Sequence, residues 1–154
     1  MIRIRVSARV QQPGLSLRSA ARTIRMVCRY CSVRNADISI VYLNDRQMKL
    51  MNTKFLKHAF ITDIITIVLE WEPVLEAEIY IGSRQAVRQA RTFGITVVNE
   101  MTRLLVHGTL HACGYDDRRT KDRKKMLIIQ EVLVKKIRMS KADYRFSQHH
   151  KEKI

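Results

Sequence analysis

Acidic residues, glycine and proline are all scarce in this 154-residue chain, and each shortage excludes something. Five glycines and two prolines beside a hydrophobic fraction of 46% are incompatible with a collagen-like, low-complexity or disordered protein. No uninterrupted apolar run approaches the ~20 residues that a membrane helix requires, so a soluble chain with no membrane partner is expected. Three cysteines cannot all pair, which argues against a disulfide scaffold and for a reducing, cytoplasmic setting. Only 14 Asp and Glu stand against 29 Lys and Arg, a formal net charge of +15. Such an excess points to a polyanionic partner, most often nucleic acid. The length suits one domain, since a chain of ~150 residues buries roughly two-thirds of its unfolded surface.

The charge is unevenly placed. Residues 1–34 hold eight arginines and no acid, residues 118–154 carry a net +9, and residues 35–117 a net −2. If the fold brings the two basic blocks onto one face, they make a phosphate-binding surface; the bland alternative is a generally solvated basic exterior. An acid-free, Arg-rich beginning also resembles an organelle targeting peptide. Against that, Ile2, Ile4, Val6, Ala8 and Val10 alternate with Arg3, Arg5, Ser7 and Arg9, the period of a half-buried strand.

After a turn at Pro13-Gly14, Ser16 is a plausible N-cap for a helix. Leu17, Ala20, Ala21, Ile24, Val27, Cys28 and Cys31 recur at helical spacing, opposite Arg18, Arg22, Arg25 and Arg29. Ile38, Ile40 and Tyr42 mark a second strand, and Asn44 caps a short helix to about Phe55. The β-branched run from Thr62 to Leu69 reads as a buried strand, followed by a break at Pro73 and a fourth strand at Ala77–Ile81. Three helices follow: one ending at Gly94, one from about Thr96 to Cys113, and one from about Thr120 to Met139. This order implies one small sheet covered mainly by helices, in the α/β (α+β) class. A single domain over 1–140 and a basic, disordered tail over 141–154 are expected.

The chemistry sits in Val106–Asp117. His107 and His111, at i and i+4, stand one above the other on a helix face, as a single metal ion requires. Gly114 suits a left-handed helix terminus, and Asp117 can then swing back as a third ligand. The spacing H-x-x-x-H-x-x-G-x-x-D is that of a zinc site on a helix, a glycine turn and a returning loop. The alternative is a pair of helix histidines satisfied by core hydrogen bonds. Zinc proteases with this spacing place a general-base Glu after the first histidine, but here that residue is Gly108. Three protein ligands leave a position for water, whose pKa zinc lowers towards ~7, so metal-assisted hydrolysis without that base is expected.

His107-Gly108-Thr109-Leu110-His111 followed by Gly114-Tyr115-Asp116 resembles the signature of the YbeY family of rRNA-maturation endoribonucleases. Leu50-Met51-Asn52, Thr62-Asp63-Ile64-Ile65-Thr66 and Glu78-Ile79-Tyr80-Ile81 resemble further family segments, and a helix with Glu100 leads into the histidines. The resemblance implies a four-stranded, mostly parallel sheet packed with about five helices. It also implies a single-strand-specific, zinc-dependent endoribonuclease acting in small-subunit rRNA 3′-end maturation and ribosome quality control. rRNA, the small subunit and its assembly factors are the implied partners.

Departures from the family pattern are specific. Its third histidine falls on Asp117, an anionic ligand that offsets more of the zinc charge and depresses the bound-water pKa less. A family arginine aligns with Leu56, and His58 stands where a basic residue is usual and is a candidate to replace it. These residues assign His107, His111 and Asp117 to the metal, and His107, His111 and His58 to catalysis. Arg18, Arg22, Arg25, Arg118, Arg119 and Lys121 are candidates for RNA phosphates, with a solvated helix face as the default reading of the run after residue 117. The competing function is a non-catalytic RNA-binding assembly factor with a structural metal. Cys28 and Cys31, a C-x-x-C without a second pair, read as core. Asp63 is a candidate acceptor for a ligand N–H or a turn cap, and Asp116 a candidate to orient a histidine or cap the turn.

Overall fold

The computed structural model describes residues 3–8, 15–56 and 62–151. Four strands and five helices follow in the order β1 (Arg3–Ala8), α1 (Leu17–Tyr30), β2 (Asn35–Leu43), α2 (Asp45–Leu56), β3 (Ile64–Glu70), β4 (Leu75–Gly82), α3 (Ser83–Phe93), α4 (Val97–Ala112) and α5 (Thr120–Lys151). Local chemistry explains most of the boundaries. Ser16 caps α1 by accepting from the Ser19 N–H at 3.1 Å. Asn44 and Gln47 form a reciprocal capping box at the start of α2, with both bonds at 2.9 Å. Thr96 caps α4 by accepting from the Asn99 N–H. Gly94 ends α3 in the left-handed conformation at φ 64°.

The sheet runs in the order β1-β2-β4-β3. β1–β2 and β2–β4 are parallel, whereas β3–β4 is antiparallel. The expected α+β class holds, and the sheet is mixed, with two parallel pairings and β3 added antiparallel at one edge. Only Trp71–Val74 separates β3 from β4, and a parallel crossover needs a dozen residues or more. The hairpin was therefore implicit in the Pro73 break.

Alternation along β2 and β4 turns Ile38, Ile40, Ala77, Ile79 and Ile81 into one core with Met101, Leu104 and Leu105 of α4. Val106 and Leu110, on another side of α4, join a second cluster with Val27 of α1 and Met126, Leu133, Val134 and Ile137 of α5. α4 is thus covered on two sides, which accounts for the burial of ten of its 16 residues. Each such aliphatic side chain stabilises the packing by roughly 1.5–3 kcal/mol. Gly108 is set by this packing. A Cβ there would lie 2.7 Å from Ile64 Cδ1, 3.0 Å from Thr66 Oγ1 and 3.1 Å from Ile79 Cγ2. Thr66 uses the close approach to donate to the Gly108 carbonyl at 3.2 Å.

α5 extends to Lys151, past the Met139 end read from the sequence and into the tail expected to be disordered. Residues 140–151 contain neither glycine nor proline to stop it. Among the described residues, no helix is long and apolar enough to cross a membrane.

Candidate metal centre

α4 ends in a Schellman turn that shapes the site. Gly114 adopts φ 97°, its N–H donates to the His111 carbonyl at 2.9 Å, and the Tyr115 N–H donates to the Leu110 carbonyl at 3.0 Å. The chain reverses here, as the glycine spacing predicts. Asp117 comes back towards the helix, with Oδ2 3.4 Å from His111 Nε2 and 3.8 Å from His107 Nε2. Arg123, in the first turn of α5, donates from Nε to the Asp117 carbonyl at 3.1 Å and ties the returning loop down.

The hydrogen bonds of the two imidazoles determine what faces inward. His107 Nδ1 lies 2.8 Å from Gln130 Oε1, and His111 Nδ1 lies 2.9 Å from the Tyr115 carbonyl oxygen. Each partner is an oxygen that only accepts, so each Nδ1 carries the proton and each neutral ring presents a lone pair at Nε2. The two Nε2 atoms stand 3.1 Å apart with the rings nearly perpendicular. Burial pushes the His107 pKa below its ordinary 6.5, the Gln130 hydrogen bond opposes this, and a nearby His111 adds to the lowering.

Two lone pairs and a carboxylate therefore converge with no proton between them. That donor set is repulsive on its own and complete around a cation. His107, His111 and Asp117 place one ligand atom each within 4.8 Å of one another. Two imidazoles and a carboxylate suit zinc with a further position left open, so the residues present fit the implied metal.

Other candidates fall in different places. Asp116 is occupied by Arg118, accepting from its backbone N–H at 3.0 Å and its guanidinium at 2.8–2.9 Å, which pulls the carboxyl down to about 2. It caps the turn and does not orient a histidine. Arg118 therefore stands next to the ligand loop as half of an ion pair, while Arg119 and Lys121 are exposed at the entry to α5. Arg18, Arg22 and Arg25 lie on the solvent face of α1, whose other face packs on α4 and α5. Asp63 accepts from Gln89 Nε2 at 2.8 Å, and the ligand N–H it might have met is taken by Gln130. Cys28 is buried in the core, as its place in the α1 stripe predicts. His58 lies outside the described residues, as does the side chain of Leu56.

Two site residues escape the sequence reading. Gln130 is 1% exposed within the apolar face of α5, and a polar residue in the Met126-Leu133-Ile137 stripe was the available signal. Arg103 stands one turn before His107 on the same face of α4. Its Nε donates to Glu100 Oε2 at 2.9 Å, and its guanidinium lies over the Phe93 ring at 5.6 Å. The pairing with buried Glu100 raises its pKa further, and the spacing Glu100-x-x-Arg103 was the signal.

The sequence matches the family described as Endoribonuclease YbeY over residues 8–138. It is 30% identical over 105 residues to Endoribonuclease YbeY of Phytoplasma mali, covering 68% of this chain and 71% of that protein. Endoribonuclease YbeY of Azobacteroides pseudotrichonymphae is 25% identical over 126 residues, covering 82% and 91%. The solution structure of TM1509 from Thermotoga maritima shares the fold, with a TM-score of 0.66 at 23% identity over 92% of this chain and 93% of that one. Sequence and fold agree over the same span, and the chain belongs to the YbeY endoribonuclease family.

Proposed function

We propose that this chain is a zinc-dependent endoribonuclease that cleaves single-stranded RNA, with precursor rRNA of the small subunit as its substrate in 3′-end maturation and quality control. The observation that carries the reading is the convergence of His107 Nε2, His111 Nε2 and Asp117 Oδ2. These three residues would hold the ion, which when bound supplies Lewis-acid polarisation of a phosphoryl oxygen. Gln130 and the Tyr115 carbonyl keep both rings in the tautomer that faces the site. Arg119 and Lys121 would bind phosphates beside the cleavage point, and Arg18, Arg22 and Arg25 would hold the strand further out. His58 would supply the cationic group that Leu56 does not. The working unit is residues 1–140, acting in the cytoplasm with the small subunit and its assembly factors.

Family membership and the +15 charge support RNA as the substrate. The decisive comparison is cleavage of a defined single-stranded RNA by wild type, His111→Ala and Asp117→Ala, beside zinc content of protein purified without a His-tag. Loss of cleavage and of zinc in both variants is expected. Near-stoichiometric zinc in Asp117→Ala removes that residue from the ligand set. Leu56 in place of the family arginine favours a second reading, a non-catalytic RNA-binding assembly factor with a structural metal. Equal trace cleavage by wild type and His111→Ala, with RNA binding retained, selects it.

A further inference from the structure

Trp71 is the chain's single tryptophan and is 49% exposed, in the connection between β3 and β4. Large aromatic side chains are highly buried on average, so half an exposed indole is a surface to be explained. Its place is specific. Indole Cη2 lies 3.3 Å, and Cζ2 3.8 Å, from where a Cβ on Gly114 would sit. The benzo edge thus lies against the turn that links His111 to Asp117, and about half of the residue is open to solvent. Its backbone N–H donates to Glu70 Oε1 at 3.1 Å, which fixes the connection locally.

We propose that the Trp71 indole stacks a base of single-stranded RNA beside the metal centre and so positions the strand for cleavage. This rests on the RNA-cleaving reading above and names the group that would recognise the unpaired base. Every base has a π-face, so such a contact selects unpaired strands without selecting sequence. The surrounding charge fits a base better than a phosphate. Exposed Glu70 and Glu72 neighbour Trp71 in the chain and repel a phosphate backbone, whereas exposed Arg119 and Lys121 follow the Asp117 end of the same turn in the chain. A base on Trp71 with its phosphates turned towards those cations satisfies both signs.

Because Trp71 is the sole tryptophan, its emission reports the contact directly. The zinc-loaded full chain is titrated with a short, unstructured, sugar-methylated RNA that resists cleavage, and with an abasic strand of equal length. Binding is followed independently by anisotropy of labelled strands. Quenching by the RNA but not by the abasic strand is expected. Trp71→Ala should weaken binding about fivefold to 150-fold, the range for one base–aromatic stack, and Trp71→Phe should restore most of it. For cleavable RNA, KM should rise in Trp71→Ala while zinc content stays unchanged. RNA that binds without changing the emission, equal quenching by the abasic strand, or wild-type affinity in Trp71→Ala overturns the inference and leaves the RNA-cleaving reading intact. Failure of the wild-type chain to bind RNA overturns both.

Discussion

Replacing Gln130 with leucine removes one oxygen acceptor from the metal centre while nearly conserving volume. Gln130 is buried and lies one turn of α5 from the core residues Met126, Leu133 and Val134, so leucine adds no new polar group. What changes is His107. Its Nδ1 proton loses the acceptor 2.8 Å away that fixes the tautomer, and the ring becomes free to turn or to move its proton to Nε2. Losing a ligand-orienting partner typically costs 10–100-fold in metal affinity, or about 1.4–2.7 kcal/mol. An unsatisfied buried donor costs about 1–3 kcal/mol, and the 22% exposure of the His107 side chain returns part of that through water. Both estimates meet near 1.4–2 kcal/mol, so zinc should bind Gln130→Leu about tenfold to thirtyfold more weakly. Competition with a chromophoric chelator measures this, and thermal unfolding after chelation shows whether the variant still folds. A folded Gln130→Leu protein with zinc affinity within about twofold of wild type would refute the tautomer argument.

Three further outcomes follow from the same structure. In the metal-free protein burial holds His107 below 6.5, so between its folded pKa and 6.5 the unfolded chain binds more protons and stability rises with pH. Thermal melts of chelated protein should show a steeper rise with pH below about 6.5 in wild type than in His107→Gln, and equal slopes contradict the assignment. Gly108→Ala forces a methyl between Ile64, Thr66 and Ile79, costing about 1–3 kcal/mol against a gain in helix propensity of up to about 1 kcal/mol. The net cost, at most about 3 kcal/mol, should lower the melting temperature by up to about 12 °C, and a raised value rejects the packing account. Changing Arg18, Arg22 and Arg25 to glutamine should lower the slope of log affinity for single-stranded RNA against log salt by about 2, if each neutralises a phosphate. An unchanged slope assigns that face of α1 to solubility.

Most of the site was legible because its determinants are local. Two histidines four residues apart, a glycine three residues later and an aspartate three beyond specify a helix face, a reversal and a return. The described turn has φ 97° at Gly114 and brings Asp117 Oδ2 within 3.4 Å of His111 Nε2. The order of strands and helices was legible for the same reason, since caps and periodicity act over a few residues. What the sequence did not disclose depends on contacts between distant elements. Gln130 reaches His107 only because α5 packs across α4, and 23 positions separate them. The antiparallel placement of β3 is intermediate. It follows from the short connection between β3 and β4, which was visible in the sequence.

Gly108 joins the packing argument to the chemical one. In zinc proteases with the same histidine spacing, the residue at that position is the base. Here its Cβ direction points at Ile64, Thr66 and Ile79, into the contact between α4 and the sheet. A glutamate would have to bury its carboxylate among apolar atoms, at a cost of several kcal/mol without a partner. The ligand face of α4, which carries Arg103, His107 and His111, lies about 100° away, one residue's rotation on a helix. Position 108 therefore supplies no proton acceptor to this site. The same packing that makes α4 apolar on two sides thus separates this centre from the proteases whose spacing it shares. Gly108→Glu is accordingly expected to lose folding and to gain no peptidase activity. A folded Gly108→Glu protein that hydrolyses peptides would show that position 108 faces the metal, and the placement of α4 on the sheet would have to be abandoned.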